Sequence, residues 1–404
     1  MRVYLDHAAT TPMVPAAVGA MLPFLTGPAG NASGVHADAR RARQAVDEAR
    51  ERIAALVGVE FGEVVFTGGG TESDNLAVAG VLEAVLADSS SRSRPARPAH
   101  RTPPPSGTGT NTGTVVCAAM EHHAVLEACR AAATRHGIEL REVPTDRSGV
   151  VDLAALERAC TPDVVLVSVM AVNNEIGTVQ PLAEVAAIAH QGAPGAVLHS
   201  DAVQAAPWMD LAPIAALADL VSVSAHKFGG PQGVGALLVR DGTPLRPVAR
   251  GGGQERDRRS GTLNVAGIVG MAAALEVAVG DLGARGPAVT ALRDRLADGV
   301  AVAVGEVGET GDRDRRVPGT VHLRFAGIEG EAMVVLLDQL GVSVSAGAAC
   351  SSGAVGPSHV LSSMGFEGPA ASSGVRFSLG PDSTAAEIDW AVAAVGDAVA
   401  RLRN

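Results

Sequence analysis

Leu217-Ala218-Asp219-Leu220-Val221-Ser222-Val223-Ser224-Ala225-His226-Lys227-Phe228-Gly229-Gly230-Pro231 is a β-rich run that ends in a lysine just ahead of a glycine-proline break. An ammonium at the end of a buried strand must pair with an anion, give up its proton or be tied up covalently, because a bare charge there is expensive. Condensation with a carbonyl is the covalent solution and a common use of a lysine nucleophile. A strand-end lysine in solvent is the plainer reading, and the rest of the chain has to decide between them.

The same texture repeats on both sides of this run. Strands are expected at 63–67, 114–119, 138–143, 164–169, 196–200, 220–224 and 235–239, with helices at 71–86, 124–136, 153–160 and 182–190 among them. This alternation predicts an α/β fold, with a mostly parallel seven-stranded sheet flanked by helices. Parallel strands are covered on both faces, which accounts for unbroken apolar runs such as Val164-Val165-Leu166-Val167. Upstream, a short strand and turn lead to a helix starting at Pro15, and a second helix over 36–57 stops at Gly58. Past Thr262 two helices, a linker and a shorter mix of strands and helices suggest a smaller α+β unit. The expected division is a segment 1–14 joining the small domain, a large domain over 15–261 and a small domain over 262–404. The Ser-, Pro- and Arg-rich stretch from 88 to 113 cannot bury a core, so it reads as a disordered insertion, or else as an arginine-bearing docking arm.

Length and composition agree with two domains, since single cores seldom grow past about 250 to 300 residues and this chain has 404. Hydrophobic residues make up 47% but aromatics 2%, so the core must be built from Ala, Val, Leu and Ile. A net charge of -11 argues against a general nucleic-acid binder. The cysteines at 117, 129, 160 and 350 have neither zinc-site nor disulfide-framework spacing. With no signal-peptide pattern and no apolar run of membrane-spanning length, a soluble, cytoplasmic protein without a resident metal is expected.

Six segments carry groups suited to chemistry. Val64-Val65-Phe66-Thr67-Gly68-Gly69-Gly70-Thr71 is a strand, a triple glycine and a helix start, where unpaired amides and the Thr71 hydroxyl suit an anion such as phosphate; an ordinary capped turn is the alternative. Asp201 follows a buried strand and could face a protonated pyridine nitrogen or cap a helix. His122 follows another strand and could stack on a ring or fill a strand end. With Lys227, these make a phosphate cradle, a stacking ring, an acid and an amine, each after a different strand, where open α/β sheets bind ligands. Together they point to pyridoxal phosphate. Cys350 sits among small residues in what reads as a mobile loop, and a working thiol needs such exposure. Arg376 could grip a carboxylate with its planar fork.

The chain resembles the cysteine desulfurases of the NifS/IscS type, within the class-V aminotransferase-like, fold-type I pyridoxal phosphate enzymes. The resemblance rests on Tyr4-Leu5-Asp6-His7-Ala8-Ala9-Thr10-Thr11-Pro12, Thr71-Glu72-Ser73-Asp74-Asn75, Glu121-His122, Val172-Asn173-Asn174-Glu175-Ile176-Gly177, Asp201-Ala202-Val203-Gln204, Ser224-Ala225-His226-Lys227, Arg259-Ser260-Gly261-Thr262-Leu263 and Arg376-Phe377-Ser378-Leu379-Gly380. It implies Lys227 as Schiff-base lysine and proton shuttle, Asp201 at the pyridine nitrogen, Gln204 at the ring hydroxyl and His122 stacked on the ring. Gly70, Thr71, Ser224 and His226 would hold the phosphate, and Thr262 would reach that of a second subunit, which makes a homodimer necessary. Asn31, Asn174 and Arg376 would hold L-cysteine. Cys350 matches the persulfide cysteine of the group with a long mobile catalytic loop, and could transiently ligate an iron-sulfur cluster. Asn31-Ala32-Ser33 replaces the family's usual Asn-Pro-Ser turn, and Pro381 is unusual.

The activity implied is conversion of L-cysteine to L-alanine with sulfur passed to an acceptor protein for iron-sulfur cluster assembly or tRNA thiolation. A selenocysteine lyase or another class-V enzyme would use Lys227 and Asp201 without needing the Cys350 thiol. A third reading, from another class, is a degenerate protein that binds the cofactor and acts only as a docking scaffold, against which stands the presence of every expected catalytic residue.

Overall fold

The apolar runs form fully buried strands, and the glycines and prolines between them mark their ends. The computed structural model describes residues 1–89, 113–347 and 356–403. Cys350 and most of the expected 88–113 insertion lie outside them. In chain order come β1 (Val3–Tyr4), α1 (Pro15–Thr26), α2 (Ala37–Val57), β2 (Val64–Thr67), α3 (Gly70–Ser89), β3 (Thr114–Ala118), α4 (His123–His136), β4 (Glu139–Val143), α5 (Leu153–Ala159), β5 (Val164–Ser168), α6 (Leu182–Gly192), β6 (Val197–Asp201), α7 (Ala212–Leu217), β7 (Leu220–Ser224) and β8 (Gly235–Val239). They are followed by α8 (Val265–Gly280), α9 (Leu282–Val304), β9 (Val307–Glu309), β10 (Thr320–Phe325), α10 (Gly330–Gln339), β11 (Val342–Ser343), β12 (Ser345–Ala346), α11 (His359–Ser363), α12 (Pro369–Ser372), β13 (Gly374–Ser378) and α13 (Ala385–Arg403). The strand and helix expectations hold to within a few residues. The short α7 was not expected, being too brief to show a period.

A seven-stranded sheet runs in the order β2-β8-β7-β6-β5-β3-β4. Its strands pair in parallel except β8, which is antiparallel to both neighbours. The carboxyl ends of β2, β3, β5, β6 and β7 therefore share one edge. A four-stranded sheet, β12-β13-β10-β9, is antiparallel and lies with α9, α10 and α13 over a second core that includes Leu296, Phe325, Phe377 and Ile388. The N-terminus crosses to this core: β1 pairs in parallel with β11, and Val3 and Leu5 are fully buried there. α8 comes directly after the expected division at 262. The helix is apolar on all sides, and a helix of that kind has to be buried; Ile268, Met271 and Leu275 join the core of the large sheet. Among the described residues, no single helix is long and apolar enough to cross a membrane.

Candidate active site

At the shared edge of the large sheet lies a cavity of about 460 Å³. Gly70 and Thr71 after β2, His122 after β3, Asn174 after β5, Asp201 ending β6 with Gln204 beyond it, and Ser224, His226 and Lys227 at the end of β7 all line it. Arg376 of β13 and Ser345 of β12 approach from the second sheet, and Asp6, Ala8 and Ala9 from the N-terminal segment. Ten of the residues singled out by sequence thus meet in one place. Thr262 and Asn31 do not line this cavity; both are exposed, and Asn31 Oδ1 accepts the Ser33 amide at 3.0 Å within its own turn.

The glycine turn is a physical requirement. Gly69 has φ of 144°, and a Cβ at Gly70 would come within 2.9 Å of Val203 Cγ2. Removing side chains here lets α3 begin at the cavity wall, with the N–H groups that a helix start leaves unpaired. Thr71, Ser224 and His226 stand beside that helix start.

Lys227 closes a single 3₁₀ turn after β7. Its Nζ donates to the carbonyls of Ala8 at 2.7 Å and Ala9 at 2.9 Å, and Gln204 Nε2 donates to the same Ala8 carbonyl at 2.9 Å. The N-terminal segment therefore holds the amine, a role that no local pattern around Lys227 announces. Composition does single it out, however, because Lys227 is the only lysine among the 32 lysines and arginines of the chain.

Asp201 is 5% exposed; its Oδ1 accepts the Val203 amide at 2.9 Å in an Asx turn, and it caps no helix, since the next one begins only at Ala212. Burial raises its carboxyl above the ordinary range, against the pull of Lys227. A cation arriving in the cavity would repair that deficit. His122 Nδ1 accepts the Ala124 amide at 3.1 Å and caps α4. Burial first, then Lys227 and two neighbouring histidines, push its imidazole down to about 4. It is a neutral ring at physiological pH, suited to packing on an electron-poor one. Arg376 is already engaged, its Nη1 donating to the Asn174 carbonyl at 2.7 Å and its Nη2 to Asp6 Oδ1 at 2.8 Å, while its buried Nε has no hydrogen-bond partner.

Sequence reasoning passed over Glu175, next to Asn174. It is 1% exposed, its Oε2 accepts from Ser358 Oγ at 2.7 Å, and a Cβ at Gly347 would strike its carboxylate. Burial holds its carboxyl up to about 7, opposed by Ser358 and Arg376. The folded state keeps this proton while the unfolded chain loses it near 4.5. Its contribution to stability is therefore full below pH 4.5 and is lost as pH rises to about 7, by roughly 3 kcal/mol at about 1.4 kcal/mol per unit. Glu175→Gln, which keeps an acceptor for Ser358, flattens that slope; chemical denaturation of both proteins between pH 4.5 and 8 measures it, and an unchanged slope counts against this assignment.

A mostly parallel α/β sheet with an amine, a buried acid and a helix start around one cavity defines an enzyme class that works on ligands at strand ends. The family model for class-V aminotransferases matches residues 3–90 and 107–390. An IscS-like cysteine desulfurase of Mycobacterium tuberculosis is 43% identical, over 99% of this chain and 97% of its own length. Among solved structures, a NifS-like protein superposes with a TM-score of 0.87 at 33% identity, over 99% of this chain and 100% of that one. A protein named SspA, solved in complex with cysteine, gives 0.76 at 28% identity, over 95% and 100%. The chain belongs to the cysteine desulfurases of the class-V aminotransferase family.

Proposed function

We propose that this protein is a pyridoxal-phosphate-dependent cysteine desulfurase that converts L-cysteine to L-alanine and hands the sulfur, as a persulfide on Cys350, to an acceptor protein. The observation that carries this reading is the convergence of Lys227, Asp201, His122 and the glycine-opened start of α3 on one cavity. The family is pyridoxal-phosphate dependent, and the residues here suit that group. Thr71, Ser224, His226 and the first amides of α3 would hold its phosphate, Asp201 would face its ring nitrogen, His122 would pack on the ring and Gln204 would reach its hydroxyl. When bound, the cofactor supplies a carbonyl for the substrate amine and a sink for electrons.

The chain's own residues account for the remaining work. Asn174 and Arg376 hold the substrate carboxylate. Lys227 Nζ, aligned by the carbonyls of Ala8 and Ala9, takes the proton from the substrate Cα and returns one to the carbon skeleton. The Cys350 thiolate attacks the substrate sulfur; a sulfur–sulfur bond forms and the Cβ–S bond breaks. The electron pair left on the carbon side is taken up by a proton, and alanine leaves. Cys350 is assigned by sequence. Its connection to the site is that Ser345, five residues upstream, lines the cavity, and five residues span at most about 17 Å.

We further propose a homodimer in which the exposed Thr262 completes the partner's phosphate site, and an acceptor that is either an iron-sulfur scaffold or a tRNA-thiolating enzyme. Incubation with isotopically labelled L-cysteine followed by peptide mass spectrometry should place one labelled sulfur atom on the Cys350 peptide. Label on another cysteine, or release of sulfide with Cys350 unmodified throughout, would overturn the assignment.

A further inference from the structure

Beneath the cavity floor lies a buried polar cluster that the proposed roles do not use. His199 on β6 precedes Asp201 by two residues, so the two side chains emerge on the same face of the strand. His199 is fully buried. Its Nδ1 lies 2.9 Å from Ser168 Oγ on β5 and its Nε2 3.0 Å from Ser222 Oγ on β7. Ser222 is the residue paired with Asp201 across the β6–β7 ladder. Asp74, in the second turn of α3, completes the set: it is 1% exposed, lines the same cavity as Asp201, and its Oδ1 is 3.6 Å from His199 Nε2 without a hydrogen-bond partner of its own. Glu121, fully buried, accepts the Met170 amide at 2.6 Å on Oε1 and has no partner on Oε2.

Three buried carboxyl groups thus crowd one floor. An ionised pair of acids so placed is costly, and such sites keep protons on all but the best-compensated group. The compensation is unequal. Asp201 has the pull of Lys227, and a ring nitrogen would add to it. Burial, followed by repulsion from Asp201, drives both Asp74 and Glu121 well above the ordinary carboxyl range. His199, pushed down to about 3 by burial, supplies no positive charge to offset them. A protonated Asp74 has a hydrogen to donate, and its neighbours Ser222 and His199 are the groups that flank Asp201.

We propose that Asp74 is a positioning residue that works as a neutral hydrogen-bonding side chain, fixing the Asp201 carboxylate for the cofactor ring through Ser222 and His199. This rests on the pyridoxal phosphate reading above, and the two fail differently. If that reading is wrong, the wild-type protein does not bind the cofactor; if this inference alone is wrong, the wild type binds and the variants sort otherwise.

The test compares Asp74→Asn, Asp74→Ala and Ser222→Ala in the full-length protein, measuring the dissociation constant for pyridoxal phosphate, the pH dependence of the bound-cofactor absorbance and the melting temperature. Asparagine preserves shape and donor while removing the ability to ionise, so Asp74→Asn binds within about twofold of wild type, melts no lower, and keeps the absorbance titration in place. Asp74→Ala and Ser222→Ala weaken binding by about tenfold, the usual consequence of leaving a buried partner of a charged group unsatisfied. The proposal is overturned if Asp74→Asn weakens binding as much as Asp74→Ala, which would make the charge the functional feature, or if neither alters it. Should Asp74→Ala not fold, the Asp74→Asn titration decides: a midpoint displaced by about one pH unit overturns the proposal and an unmoved one supports it.

Discussion

Lys227→Ala lowers alanine production from L-cysteine by at least about 10³-fold, the scale expected when a nucleophile that is also the acid–base group is deleted. The mutant loses its cofactor on gel filtration, whereas the wild type retains it. The substitution also removes the donor to the carbonyls of Ala8 and Ala9 and the pull of Lys227 on the buried Asp201, so a melting curve of the variant accompanies the assay. Added methylamine restores part of the activity by entering the space beside Ala8 and Ala9. The sequence makes this result unusually clean: with no second lysine in the chain, borohydride reduction of the loaded wild-type protein marks a single side-chain peptide, the one containing Lys227. Full activity in the alanine variant, or reduction that leaves this peptide unmarked, rules out the proposed role.

Cys350→Ser has an effect of similar size with the opposite cofactor behaviour. The variant binds pyridoxal phosphate and L-cysteine as the wild type does, since none of Thr71, His122, Asp201 or Lys227 is touched, yet alanine release falls by about 10³-fold or more because a hydroxyl does not replace a thiolate as attacker of sulfur. The contrast between the two substitutions divides the reaction into its carbon and sulfur halves. It also separates the desulfurase reading from a selenocysteine lyase or an aminotransferase, either of which would keep its activity without this thiol. Undiminished alanine release from Cys350→Ser would therefore discard persulfide formation while leaving the cofactor site intact.

Much of this site is legible in the sequence because its parts follow strand ends. Buried parallel strands are written as apolar runs, and the residue at which each run stops is the one the sheet delivers to its edge, as with Thr71, His122, Asp201 and Lys227. The contacts that close the site are not written locally. Ala8 and Ala9 meet Lys227 from more than two hundred residues away, and Asp6 holds Arg376 across most of the chain. Main-chain carbonyls carry no residue signature, and a pairing between the two ends of a chain leaves no period to detect. Asp74 and Glu121 were hidden for another reason: acids in a helix's second turn and after a strand look like solvent-facing residues until packing shows that both are buried. The border between the two cores leaves no such mark, since α8, just past the change of texture at 262, packs in the core of the large sheet.

The solitary lysine also determines how this protein meets electrophiles. Its remaining strongly basic side chains are guanidinium groups, which do not condense readily with aldehydes, so the chain has one ε-amine and keeps it half-buried at the cavity. Glycating sugars, acylating agents and amine-coupling resins therefore find, apart from the chain terminus, one address. Any such reagent, read at the Lys227 peptide, becomes a titrant of cofactor occupancy: loaded molecules are protected there, empty ones are labelled, and the fraction labelled at Lys227 counts the vacant sites.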